Sequence, residues 1–217
     1  MKPLFLVFEG VDGAGTTTQC NRLCARLRSE GYEFVQTREP GGTEIGEQIR
    51  ELLLDPATHN LDDLAELLLY EASRRQLIAQ VIEPALASGK VVISDRYTSS
   101  SIAYQGHARG LGSALVQSAN ELATTGLAAD MTIYLDVDTN TALRRRKLRS
   151  QGKEDRLEQA GVDFQEKVRE AYLELARDNP EQSILADAKE SPDSVECTVY
   201  HALIDRFSHF PYGAPPT

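Results

Sequence analysis

Apolar positions along this chain alternate between short unbroken runs and stretches where they recur every three or four residues, the pattern of a fold in which strands and helices take turns. Leu4-Phe5-Leu6-Val7-Phe8 is a continuous apolar run ended by Gly10, as expected of a parallel strand buried on both faces. Cys20, Leu23, Cys24 and Leu27 predict a helix over Thr17 to Glu30, stopped by Gly31. Tyr32 to Thr37 reads as a second strand, and Arg38-Glu39-Pro40-Gly41-Gly42-Thr43 as a loop. A short helix follows, marked by Ile45, Ile49, Leu52 and Leu53. A long helical pattern then runs from Asp62 to Leu86, bent or broken by Pro84. Val91-Val92-Ile93 is the next buried strand, with Asp95-Arg96-Tyr97 at its carboxyl end. Leu115, Val116, Ala119 and Leu122 predict a helix, Thr132 to Val137 a strand and Thr139 to Lys147 a helix. Arg149 to Glu158 is polar and loop-like. Phe164, Val168, Tyr172 and Leu175 restart a helix, Ser183 to Ala186 is a last strand and Ser194 to Phe207 a closing helix. The tail from Ser208, with three prolines, is expected to be loose.

Strands alternating with helices imply an α/β fold with a mostly parallel sheet and right-handed crossovers, and ligands in such folds sit at the carboxyl ends of the strands. The segments after Phe8, Thr37 and Ser94 fall there. At 217 residues, with no repeat or linker, one domain over residues 1–207 is expected.

Composition narrows the function classes. A net charge of −10 argues against a nucleic-acid or anionic-membrane surface, which needs clustered cations, but leaves room for a small polyanion that feels only the local field. Arg144-Arg145-Arg146-Lys147, with Arg149 beyond, is the exception to the acidic balance; a solvated helix face is the usual fate of such a run. The apolar runs are too short to span a bilayer, and Met1-Lys2-Pro3 leads into a core strand rather than a signal peptide. Cys20 and Cys24 are one helical turn apart and read as small buried residues; with Cys197 and scattered histidines they form no zinc pattern, and a reducing cytoplasm fits.

Gly10-Val11-Asp12-Gly13-Ala14-Gly15-Thr16-Thr17 follows a strand and opens a helix, the setting of a phosphate-binding P-loop. Its backbone N–H groups and the helix dipole favour phosphate, and the Thr17 hydroxyl is the type that meets Mg²⁺. The lysine of the G-x-x-x-x-G-K-[ST] pattern is replaced by Thr16. Losing such a preorganised donor costs about 10²–10³ in rate. The chain is therefore impaired, compensated by another cation, or no longer a kinase.

Phe8-Glu9-Gly10-Val11-Asp12-Gly13-Ala14-Gly15, Thr37-Arg38-Glu39-Pro40-Gly41-Gly42-Thr43, Asp95-Arg96-Tyr97 and Ala103-Tyr104-Gln105-Gly106, in this order and spacing, resemble the thymidylate kinase family from about Leu4 to Phe207. The resemblance implies a P-loop NTPase-type three-layer fold, with a five-stranded parallel sheet flanked by helices and a mobile lid at about 147–158. It implies transfer of the γ-phosphate of ATP to dTMP with Mg²⁺, and a homodimer. By the same resemblance Gly10 to Thr18 and Lys189 surround ATP, with Thr18 in the first helical turn. Thr17 and Asp95 hold the metal, and Arg38 and Arg96 reach the phosphates. Glu39 borders the acceptor, and Asp12 accepts from the sugar 3′-hydroxyl. Tyr70 stacks on the base, Arg74 bonds its edge, and Ser100, Ser101, Tyr104 and Gln105 line the far side. With no arginine at the variable P-loop positions, the chain resembles the branch that carries its catalytic arginine in the lid. Arg149 is the first candidate and Lys153 the second. Another nucleoside monophosphate or deoxynucleoside kinase, or a catalytically silent nucleotide-binding protein, are the alternatives.

Overall fold

The structure is a computed structural model that describes residues 3–150, 155–208 and 210. Five parallel strands, β1 (Phe5–Glu9), β2 (Phe34–Arg38), β3 (Val91–Asp95), β4 (Met131–Asp136) and β5 (Ser183–Asp187), form one sheet in the order β2-β3-β1-β4-β5. Helices α1 (Thr16–Ser29), α2 (Glu44–Leu54), α3 (Asp63–Leu77), α4 (Glu83–Ala87), α5 (Thr98–Ser101), α6 (Ser113–Thr124), α7 (Thr139–Ser150), α8 (Val162–Asp178) and α9 (Pro192–Arg206) connect and flank it.

Burial explains the order. Every residue of β1 is buried and it takes the centre, with Leu6 opposite Ile93 on one side and Met131 on the other. The outer strands alternate instead, with Gln36 and Arg38 exposed on β2 and Leu185 and Asp187 on β5, as half-covered strands must. Leu4, Leu6, Phe8, Val91 and Ile93 face a core that includes Leu23, Leu27, Val168 and Tyr200 from α1, α8 and α9. Phe5, Val7 and Val92 face the opposite core, built on Leu77, Ile78, Ile82 and Ala85. Cys20 and Cys24 are free and buried in the first of these.

The long helical pattern is interrupted just before Pro84: Ile78–Ile82 is a π turn between α3 and α4, with Pro84 in the first turn of α4. Proline has no N–H to donate, so the regular helical bonding is lost next to it. Two local expectations are corrected. A second π turn, Ile102–Ala108, continues α5 where no element was predicted. Of the tail expected to be loose, Phe210 is buried against Tyr200 with ring centroids 5.9 Å apart, because an aromatic side chain gains more from the core than from water; residues 211–217 lie outside the described residues. Among the described residues no helix is long and apolar enough to cross a membrane.

Candidate active site

Because all strands run the same way, Glu9, Arg38, Asp95 and Asp136 end on one edge of the sheet. From β1 the chain turns through Gly10–Gly15 into α1. Gly15 sits at φ +102, in the left-handed region open to glycine, and begins α1 with no side-chain cap, so the first-turn N–H groups remain for a ligand. Gly13, at φ +99, lies so close under α7 that a methyl group there would stand 2.3 Å from the Ala142 carbonyl oxygen. Of the loop positions assigned to ATP, Asp12, Gly13, Gly15, Thr16, Thr17 and Thr18 line a crevice of about 850 Å³. Val11 and Ala14 turn into the core. Lys189 lies past the end of β5, with Nζ 3.9 Å from Asp138.

The Thr17 hydroxyl donates to Asp95 Oδ2 at 2.5 Å, while Asp95 Oδ1 is buried with no hydrogen-bond partner among the described residues. An orphaned carboxylate oxygen beside a threonine hydroxyl fits a hydrated divalent cation.

A second cavity opens beside the crevice. Asp12, Glu39, Tyr70, Arg74, Arg96, Ser100, Ser101, Tyr104 and Gln105, all nine residues expected at the acceptor, line it together with Arg50 and Asp155. Asp12, Glu39, Arg50, Arg96 and Asp155 border both spaces. Arg96 is the gatepost between them. Its backbone is left-handed at φ 78, its Nη2 donates to Asp12 Oδ1 at 2.6 Å, and its Nη1 donates to Tyr172 at 3.1 Å and Ser100 at 3.3 Å. The guanidinium also lies 5.3 Å from the centre of the Tyr104 ring. Arg38, by contrast, is exposed and paired with Glu47 at 2.7 Å.

Arg74 is 1% exposed. Its Nε and Nη2 reach Glu39, and Nη2 also donates to the Tyr97 carbonyl oxygen. Its Nη1 has Glu71, Ser101 and Asn120 within hydrogen-bonding distance. Its donors are thus engaged within the protein, and a contact to a base edge would take one from these partners. The side chain of Arg149, and Lys153 entirely, lie outside the described residues. At the far end of the expected lid, Arg156 is anchored: its N–H donates to Leu54 O, its Nε to Leu53 O at 2.9 Å, and its guanidinium pairs with Glu66 at 2.6 Å.

The family model for thymidylate kinase matches residues 8–199. The chain belongs to the thymidylate kinase family. It is 44% identical to the thymidylate kinase of Enterococcus faecalis over 208 residues, covering 95% of this chain and 98% of that one. It is 46% identical to that of Caldanaerobacter subterraneus over 204 residues, covering 94% and 96%. The crystal structure of thymidylate kinase from Ehrlichia chaffeensis superposes with a TM-score of 0.77 at 32% identity, covering 94% of this chain and all of that one.

This thymidylate kinase family site also contains residues that sequence reasoning gave no role. Glu9, wholly buried at the end of β1, accepts from the Tyr97 N–H at 2.9 Å, the Ser100 hydroxyl at 2.6 Å and the Tyr172 hydroxyl at 3.0 Å. Burial raises its pKa and the charge of Arg96 opposes that rise. A carboxylate ending an otherwise apolar strand was the available signal. Tyr172 was read only as a helix core position.

Glu39 is pushed up to about 7 by burial, against the opposing pull of Arg74. Its Oε1 is buried with no hydrogen-bond partner among the described residues, a place for the proton. A carboxyl whose folded pKa exceeds its unfolded value binds a proton on folding. Its contribution is full below the ordinary value of 4.5 and is lost as pH rises through about 7. In urea titrations between pH 5 and 8, Glu39→Gln is therefore expected to lose part of the fall in stability with rising pH that the parent shows. Parallel pH profiles for the two proteins would contradict this.

Proposed function

We propose that this protein transfers the γ-phosphoryl group of ATP to the 5′-phosphate of dTMP, giving dTDP and ADP. The observation that carries the reading is the pair of cavities meeting at Arg96 and Asp12, one entered by the P-loop and the other by Tyr70 and Tyr104. A donor in the first and an acceptor in the second would face each other end to end across one guanidinium. An oxygen of the dTMP phosphate attacks the γ-phosphorus, the bond from that phosphorus to the β,γ-bridging oxygen breaks, and ADP leaves with the electron pair. Positioning and charge stabilisation do most of the catalytic work in such a transfer.

The roles implied by the family resemblance are supported by where the described side chains stand. The N–H groups of Gly13 and of Gly15 to Thr18 cradle the donor phosphates, while that of Ala14 donates to the Val11 carbonyl oxygen. Arg96 holds the acceptor phosphate and spreads the charge on the migrating group. Asp12 orients Arg96 and meets the sugar 3′-hydroxyl, and Tyr104, whose hydroxyl is 3.3 Å from Asp12, closes the sugar side. Tyr70 stacks on the base, while Arg74 holds Glu39, Ser101 and Asn120 in place around it. Arg38 approaches the phosphates by exchanging Glu47. Thr17 and Asp95 would hold Mg²⁺, which when bound supplies positive charge to the donor phosphates. Arg149 is the lid cation, and closure of the lid excludes water.

A homodimer suits the apolar surface left on α3 and α6, where Leu68 is 56% and Leu122 80% exposed. Sedimentation at micromolar concentration is expected to give twice the chain mass, and a monomer there would reject the pairing. The function itself is tested with purified protein, ATP, Mg²⁺ and dTMP, following dTDP directly. No dTDP above a control without enzyme would overturn it, and faster turnover of dUMP, dCMP, dGMP or thymidine would reassign the acceptor.

A further inference from the structure

The donor crevice has an unusual charge balance. Five arginines, Arg38, Arg50, Arg96, Arg145 and Arg146, line it together with five carboxylates, and the loop position where an ammonium would tip the balance holds Thr16. Thr16 is 8% exposed and can offer a hydroxyl but no charge. Some other cation has to face the β- and γ-phosphates if the loop is to hold ATP at ordinary strength.

The five arginines stand at different places around the crevice. Arg38 pairs with Glu47 at the end of β2, and Arg50 donates to the Pro40 carbonyl oxygen at 2.9 Å where the crevice borders the acceptor cavity. Arg96 is committed to Asp12 between the two cavities. Arg145 donates to the Ala188 carbonyl oxygen at 2.8 Å, beyond β5. Arg146 differs by its position on α7. Ala142, one turn before it, is the residue whose carbonyl oxygen rests on Gly13, so positions 142 and 146 share the helix face turned to the phosphate loop. Arg146 is 4% exposed and lines both the crevice and a smaller cavity between α7 and α8, with Asp12 bordering both. A cation so withdrawn from water acts on a nearby phosphate far more strongly than a solvated one.

We infer that Arg146 takes the place of the missing P-loop lysine, so that the ammonium normally carried by the loop is replaced by a guanidinium presented from α7. This deepens the phosphoryl-transfer reading above and rests on it. It is distinct from the part given to Arg149, which lies further along the same helix. The exchange has a chemical consequence. A guanidinium is a planar fork that can meet two phosphate oxygens at once, whereas an ammonium is a point charge.

A double-mutant cycle on the full chain tests it, using wild type, Arg146→Met, Thr16→Lys and the combination, with Arg146→Lys as a conservative variant. ADP and dTDP formation give kcat and KM for ATP, equilibrium titration gives ATP affinity, and thermal unfolding monitors folding. Arg146→Met is expected to lower kcat/KM for ATP by about 10²-fold, the scale of one lost preorganised donor, and Arg146→Lys is expected to recover part of it. In the Thr16→Lys background, where the loop again carries a charge, the same change should cost under about fivefold, a coupling expected of two groups that serve one phosphate. An equal loss in both backgrounds would overturn the inference, since a purely structural role is indifferent to residue 16. So would a loss under about threefold in the parent. If Arg146→Met fails to fold, the Arg146→Lys pair decides by the same criterion. Wild-type protein that binds ATP but forms no dTDP would refute the proposed function, and the ATP-affinity cycle would still decide the place of Arg146.

Discussion

Replacing Arg96 with methionine is expected to lower kcat for dTDP formation by about 10³-fold, within the range that a charge-stabilising arginine contributes to phosphoryl transfer. Arg96 follows β3 in a left-handed backbone conformation that costs a non-glycine residue about 1–3 kcal/mol. Its N–H is fixed by the Phe8 carbonyl oxygen, so the strain is held in place by the central strand. The same turn aims the guanidinium at Asp12, Ser100 and Tyr172, between the two cavities. Methionine keeps much of the aliphatic stem and removes the charge, so the loss should fall on kcat more than on folding. The change also leaves the buried carboxyl of Glu9 without its main opposing charge, and its pKa should rise further. Steady-state kinetics with both substrates saturating, alongside a thermal melt, separates these effects. A kcat within tenfold of the parent would remove Arg96 from the reaction.

Arg74→Met should be the most damaging change to stability, costing about 3–5 kcal/mol, because it removes one member of a buried ionic cluster and strands the others. The Arg74 guanidinium lies 2.6 Å from carboxylate oxygens of both Glu39 and Glu71, all three residues being buried. Glu39 Oε1 and Glu71 Oε2 already lack a hydrogen-bond partner among the described residues, so no spare donor stands ready to replace the lost one. Urea denaturation at pH 8, where Glu39 is ionised, should show the full loss, and at pH 5.5 a smaller one as Glu39 takes up a proton. Adding Glu39→Gln and Glu71→Gln should return part of the stability at pH 8. A loss below about 1 kcal/mol would mean that the carboxylates find water once the arginine is gone.

The two cases show which kinds of information the chain carries openly. Strands β1 and β3 were legible because burial on both faces leaves an unbroken apolar run, and their carboxyl ends were legible because polar residues follow at once. The residues expected at an acceptor came from the family resemblance and not from periodicity, and the structure gathers Asp12, Glu39, Tyr70, Arg74 and Arg96 around one cavity. The π turns at Ile78–Ile82 and Ile102–Ala108 were not legible, since one added residue per turn shifts apolar spacing too little to stand out. Tyr172 was hidden in a different way. Its ring satisfies the helix period as a core residue, while its hydroxyl bonds Glu9, 163 positions away. The basic run was ambiguous because periodicity alone does not say which of Arg144, Arg145, Arg146 and Lys147 turns to the loop; the structure puts Arg145 and Arg146 on the crevice wall.

The contact between Gly13 and Ala142 ties the shape of the loop after β1 to the seating of α7. A side chain as small as alanine at position 13 would stand 2.3 Å from the Ala142 carbonyl oxygen, so loop and helix could keep their present places only while that position stays bare.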